Sequence, residues 1–173
     1  MKHLIATLTL TLTLAASSAL AFQPGEVLPS TILAQLGASP SKITVVDFFA
    51  EWCESCRKEL PLISALNSRS NKSQVEFIGI DSDDDIRAGQ AFQKVMQDKG
   101  GLNFRVIDDP QQALVKAFKP RGFPALYIIQ DGKLVKEHLG ATPNIDVLVQ
   151  QDLNVLTSPN LASQDPKIPN QGN

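Results

Sequence analysis

The chain has 173 residues, 43% of them hydrophobic and 20% charged, with a formal net charge of −2. That is enough apolar material for one domain with a sizeable core, and it excludes the basic balance of a nucleic-acid-binding protein. Two cysteines and, beyond the first few residues, a single histidine, His138, are too few for a zinc site of about four ligands, so neither a metal nor a cofactor is expected.

Met1-Lys2-His3 is a short basic start, and residues 4–14 form an apolar run rich in leucine and threonine. Ala19-Leu20-Ala21 fits the small-residue rule for signal cleavage, so a signal peptide cut after Ala21 is expected. The run is short for a membrane span; an uncleaved membrane anchor is the alternative. No cysteine follows the run, which argues against lipoprotein processing. Export to the periplasm is therefore the expected fate.

Residues 22–157 are expected to form the folded domain. Pro29-Ser30, then Ile32, Leu33 and Leu36, then Gly37, mark a short helix with a start and a stop. Residues 42–50 are a continuous run of β-branched and aromatic residues, the pattern of a strand buried on both faces. Residues 57–66 repeat apolar side chains at helical spacing, with Leu60, Ile63 and Leu66 on one face. Pro61 lies inside that helix and is expected to kink it. Residues 67–73 read as a polar loop and residues 75–80 as a second buried strand.

Asp81-Ser82-Asp83-Asp84-Asp85 is an acidic cluster. A calcium loop needs glycine where Ile86 stands, so the cluster reads as a helix start with Ser82 or Asp83 as cap. The helix runs to about Lys99, carries Ile86, Phe92, Val95 and Met96 as candidate core residues, and ends at Gly100-Gly101. A short strand over residues 103–107 follows. Asp108 or Asp109 then caps a helix begun by Pro110, with Ala113, Leu114, Ala117 and Phe118 inward. Residues 119–123 are a loop. Residues 125–130 and 133–139 are strands joined by Asp131-Gly132, a strong hairpin signal; Tyr127 is expected in the core, and His138 has no assigned role. Thr142-Pro143 opens a last helix with Ile145, Leu148, Val149, Leu153 and Leu156 apolar. From residue 158 the composition is polar and proline-rich, and a disordered tail over 158–173 is expected. The order predicts an α/β protein with a mixed central sheet covered by helices on both faces.

The two cysteines stand together in Trp52-Cys53-Glu54-Ser55-Cys56, between a strand and a helix. A helix N-terminus offers free N–H groups and a partial positive charge, which favour a thiolate. The thiolate is the species that attacks a disulfide. A two-residue gap lets the second sulfur resolve the mixed disulfide so formed. A purely structural disulfide is the other reading, although such bridges usually close longer loops.

The segment Val46-Asp47-Phe48-Phe49-Ala50-Glu51-Trp52-Cys53-Glu54-Ser55-Cys56 closely resembles the active-site segment of thioredoxins. Pro61 falls where that family kinks its active-site helix, and Arg121-Gly122-Phe123-Pro124-Ala125 resembles its second signature, a cis-proline opening a strand. The extra helix and strand at about residues 83–107 resemble the insertion of exported TlpA-type reductases, which include the cytochrome c maturation thioredoxins. The resemblance covers most of residues 42–157. Ser55 stands where these families usually have proline, which is expected to shift redox potential and thiolate acidity. Ala125-Leu126-Tyr127 replaces the acidic residue usual just after the cis-proline in the cytochrome c maturation type.

The resemblance implies a thioredoxin-like fold with an inserted helix–strand and a role for each site residue. Cys53 is the expected nucleophile and Cys56 the buried resolving thiol. Asp47, inside an apolar strand, is expected to be buried with a raised pKa and to exchange a proton with Cys56 through a water; a solvent-facing strand-end carboxylate is the alternative. Pro124 is expected to follow a cis bond, with Phe123 offering its backbone to an extended substrate and Trp52 and Phe123 forming an apolar rim. Glu54, between the cysteines, is expected to oppose thiolate formation and so push the pair towards a reductant, while also suiting a helix start. The expected function is an exported thiol–disulfide oxidoreductase that reduces protein disulfides, acts as a monomer and is recharged by a membrane electron donor. The alternatives are a disulfide-forming oxidase and a non-catalytic binding or metal-delivery module on the same scaffold.

Overall fold

The computed structural model describes residues 21–158. The expected leader is residues 1–21; all of it but Ala21, and the expected tail beyond Ser158, lie outside the described residues. In chain order the elements are α1 (Ser30–Leu36), β1 (Ile43–Phe49), α2 (Glu54–Arg69), β2 (Val75–Asp81), α3 (Ile86–Asp98), β3 (Arg105–Asp108), α4 (Ala113–Phe118), β4 (Ala125–Gln130), β5 (Lys133–Leu139) and α5 (Ile145–Thr157).

Every residue of β1 is buried, Thr44 and Asp47 included, as its run of β-branched and aromatic residues leads one to expect of a central strand. It lies at the centre of a five-stranded sheet of order β3-β2-β1-β4-β5. β2 runs parallel to β1, and β3 parallel to β2; β4 and β5 are antiparallel. One face packs Phe48, Tyr127, Leu36 and Phe118, reaching α1 and α4. The other packs Val45, Ile63, Leu66 and Val149 beneath α2 and α5. Helices thus cover both faces, and β1 ends where β4 begins, next to the cysteine turn. His138 ties β5 to α5 through a 2.7 Å contact with Asp152.

Several boundaries differ from the sequence expectations, each for a tertiary reason. α2 runs on to Arg69 and absorbs residues 67–69, because Asn67 bonds Asn103 and Ser68 bonds the Ser64 carbonyl. Asn103 is thereby drawn out of β3, which begins at Arg105. The cap of α3 is Asp85, whose carboxylate accepts the Arg87 N–H at 2.9 Å; Ser82 and Asp83 are buried before the helix starts. Ile86 and Val95 are not in the core but 43% and 44% exposed. α3 faces inward along Gly89, Phe92 and Met96, and both residues lie roughly a quarter turn off that stripe at 3.6 residues per turn.

α4 starts at Ala113 rather than Pro110. Gln112 takes a left-handed conformation, and Asp109 accepts the N–H groups of Ala113, Leu114 and Val115 at 2.7, 2.9 and 3.0 Å. The cap position itself is Gln112, and Asp109 supplies the capping carboxylate from before it; Leu114 and Phe118 turn inward, and Ala113 is exposed. α5 begins at Ile145, after a left-handed Asn144.

Gly79 sits opposite Asp47 in the β1–β2 register. A Cβ there would lie 2.8 Å from the Phe49 ring, 3.2 Å from Phe104 and 3.3 Å from Val106. Gly79→Ala is therefore expected to cost about 1–3 kcal/mol through overpacking, read as a lower urea midpoint at unchanged slope. A midpoint at the wild-type value would mean that these rings yield freely.

Candidate active site

Cys53 is the N-cap of α2, and its Sγ accepts the Cys56 N–H at 3.2 Å. Ser55 Oγ lies 3.5 Å from the same sulfur. The two cysteines are joined in a disulfide. Cys53 keeps 5% of its surface and Cys56 none. Both cysteines are buried in the closed disulfide, which leaves Cys53 far less open than the exposed nucleophile expected from the sequence. Both pack against Phe49, Ala50, Leu60, Phe92, Met96 and Leu102.

The Phe123–Pro124 peptide is cis. Phe123 is half-buried and packs against the cysteine cluster. Trp52 is 66% exposed, and its ring lies 5.5 Å from that of Phe123, centroid to centroid. Cys53, Cys56, Trp52, Phe123 and Pro124 thus converge at one end of the sheet. An exposed aromatic surface beside a redox-active sulfur is suited to receive a polypeptide.

Glu54 stands apart from them. Its carboxylate is 81% exposed and pairs with Lys58 at 2.8 Å. The hydrogen bond and charge of Lys58 hold it below its usual pKa. An exposed pair of this kind is screened by solvent.

Asp47 is buried in β1, and neither of its carboxylate oxygens has a hydrogen-bond partner among the described residues. Burial, and then the charge of Glu59, raise its pKa well above the usual range. Glu59 is itself buried on α2, and burial lifts it to about 7. Two buried carboxyls, one of them raised further by the charge of the other, favour a shared proton over two charges. Glu59 also lines a cleft of about 270 Å³ with Ser55, Lys58, Leu62, Ala141, Thr142 and Pro143. That cleft links the buried acid to solvent beside the dithiol.

Glu59 escaped the sequence reading. The signal was present: Cys56, Glu59, Leu60 and Ile63 fall at i, i+3, i+4 and i+7, one face of a helix. Among the described residues no group of His, Cys, Asp and Glu is arranged to hold a metal ion.

A family model described as thioredoxin-like matches residues 41–134. The thiol-disulfide oxidoreductase ResA of Bacillus thuringiensis (strain Al Hakam) is 29% identical over 96 residues, covering 55% of this chain and 53% of that protein. ResA of Bacillus subtilis (strain 168) is 26% identical over 103 residues, 59% of this chain and 55% of that one. The chain spans about half the length of these curated relatives. Among solved structures, a Chlorobium tepidum protein assigned as thiol:disulfide interchange protein DsbE superposes with a TM-score of 0.65 at 20% identity, covering 79% of this chain and 99% of that one.

Proposed function

The chain belongs to the thioredoxin-like family, and from that premise we propose that it is a thiol–disulfide oxidoreductase that reduces disulfides in protein substrates. The observation that carries the reading is the Cys53–Cys56 pair on the first turn of α2, with the Cys56 N–H on Cys53 Sγ. That N–H and the helix end stabilise negative charge on Cys53 when the bridge is open.

In the reduced protein the Cys53 thiolate attacks one sulfur of the substrate disulfide. One substrate thiolate leaves, and a mixed disulfide forms. Cys56 passes its proton to the Asp47–Glu59 pair, and its thiolate attacks Cys53 Sγ. The second substrate thiolate leaves, and the Cys53–Cys56 bridge closes. Two electrons have passed to the substrate, and a donor dithiol must return them. The Trp52–Phe123 surface and the Phe123 backbone before the cis Pro124 receive the substrate chain around the attacked bond.

The reducing direction is supported by the buried acids. Glu59 follows Cys56 by one turn on the same buried face of α2, so negative charge left on the acid pair opposes a Cys56 thiolate, and a poorly stabilised dithiol gives a disulfide that is hard to reduce. Glu54, the tuning residue suggested by the sequence, contributes less, because Lys58 neutralises it in solvent. No helix among the described residues is long and apolar enough to cross a membrane. We assign the protein to the periplasm as a monomer, with the leader removed after Ala21 and residues 22–157 as the working domain. The basic start, apolar run and small-residue site support the export and the cleavage. Thiols in that compartment are oxidised by default, so a membrane electron donor is required.

The test is the reduction potential of the Cys53–Cys56 pair, measured by equilibration in thiol buffers. A value near or below about −270 mV is expected of a reductant. A value near about −120 mV would make the protein a disulfide-forming oxidase.

A further inference from the structure

The nucleophile is delivered by a four-residue turn, 50–53, closed by the Cys53 N–H on the Ala50 carbonyl at 3.1 Å. Both peptide groups at its corner are held from outside. The Glu51 N–H donates to Asp83 Oδ2 at 2.7 Å. The Glu51 carbonyl accepts from Arg57 Nη2 at 2.5 Å, and the same nitrogen reaches Glu51 Oε1 at 2.6 Å. The Arg57 guanidinium also lies over the Phe92 ring of α3, 4.5 Å from its centroid.

Asp83 is buried and firmly seated. Its own N–H donates to Asp81 Oδ1 at 3.0 Å, and the other Asp81 oxygen accepts from Gln93 of α3 at 2.7 Å. Next to it, the Ser82 N–H donates to the Phe49 carbonyl at 2.9 Å, at the end of β1. Nothing in helix capping uses Asp83, because Asp85 caps α3. A buried carboxylate spent on one backbone N–H of the cysteine turn calls for a reason.

We propose that Asp83 is a positioning residue for the dithiol: with Arg57 it fixes the 50–53 turn, and so sets where Trp52 and Cys53 stand. The consequence for turnover rests on the oxidoreductase reading; the consequence for Trp52 does not.

The hold depends on charge. An ionised carboxylate is the stronger acceptor for the Glu51 N–H. Once protonated, it bonds that N–H weakly and can donate to Asp81 instead. The charged groups facing Asp83 are Asp81 from the end of β2 and Glu51 from the turn, with Arg57 of α2 paired to Glu51; Asp84 and Asp85 follow it in sequence, exposed. Burial, with the hydrogen bond and charge of Asp81 and the charge of Glu51, raises Asp83 to about 6 against the lowering by the Glu51 N–H. The turn is therefore tight above that pH and loosens below it.

Trp52 is the only tryptophan in the chain, so intrinsic fluorescence reports the turn directly. The experiment follows the fluorescence of the full oxidised protein from pH 8 to pH 4.5, in wild type, Asp83→Asn and Arg57→Gln. Arg57 is half-exposed, so its replacement tests the hold even where Asp83→Asn folds poorly. In parallel, the reduced proteins are mixed with a small aromatic disulfide at pH 7.5, and the rate of Cys53 attack and its thiolate titration at 240 nm are recorded. The expected result is a wild-type fluorescence step centred near pH 6 that is absent from Asp83→Asn. Attack should slow about tenfold in both variants, the order of effect of losing one hydrogen bond to a charged group. A step that persists in Asp83→Asn overturns the proposal. So do an attack rate and a thiolate titration that match wild type in both variants. A wild type that shows the step yet reduces no protein disulfide removes the oxidoreductase reading and leaves the positioning role standing.

Discussion

Cys56→Ser is expected to accumulate mixed disulfides with protein substrates, while Cys53→Ser loses turnover by at least about a thousandfold, as when one member of a catalytic unit is removed. The asymmetry follows from burial. Cys56 has no exposed surface, and Cys53 keeps a sliver beside an exposed tryptophan. In Cys56→Ser the first attack proceeds, but no second thiolate can expel the substrate, so the adduct remains. In Cys53→Ser the remaining sulfur cannot meet a substrate at all. Non-reducing electrophoresis with peptide mass mapping reads both outcomes. Adducts mapping to Cys56 in the Cys53→Ser protein, at the level seen through Cys53, would reverse the assignment of nucleophile and resolving thiol. A Cys53→Ser protein that kept its effect on substrates would point instead to a binding module.

How much of this was legible depended on whether a residue's neighbours are local. The β1 strand was readable because burial on both faces selects β-branched and aromatic residues throughout Ile43–Phe49, with Asp47 the one charged residue among them. The β4–β5 hairpin was readable because Asp131 and Gly132 both need positive φ, and the sequence places a suited pair there. The cysteine turn was readable because strand, motif and helix are contiguous. The acidic run at residues 81–85 was not. Any of its acids can cap a helix, and the choice falls to Asp85 only because Asp81 is engaged by Gln93 and Asp83 by Glu51. Those partners lie far away in sequence. Glu59 was missed for a related reason. A glutamate on a helix normally faces water, and only the 56–60–63 spacing shows that this one faces inward.

The largest pH effect is expected from Asp47 and Glu59 together. Both have folded pKa values raised above their unfolded ones, Glu59 from 4.5 to about 7. The folded state therefore holds these protons more tightly than the unfolded chain does. Their contribution to stability is fully present below about pH 4, where both states are protonated. It is lost as pH rises from there, until the folded pair has ionised. For Glu59 alone the loss amounts to about 3 kcal/mol, at 1.36 kcal/mol per tenfold in proton affinity. Asp47→Asn with Glu59→Gln removes the titration. Relative to its own value at pH 4, the double variant should lose less stability by pH 8 than the wild type does, the decline that remains including that of Asp83. Comparing slopes rather than absolute values cancels any packing cost of the new amides. Denaturant unfolding of the oxidised proteins across this range provides the measurement, and parallel slopes would mean that neither carboxyl is held neutral by the fold. The same variant should resolve mixed disulfides about a hundredfold more slowly, the usual scale for loss of a general base, while the first attack by Cys53 stays near wild type. Stability gained above neutral pH and resolution lost together would identify the buried acids as a catalytic element kept at a cost to the fold.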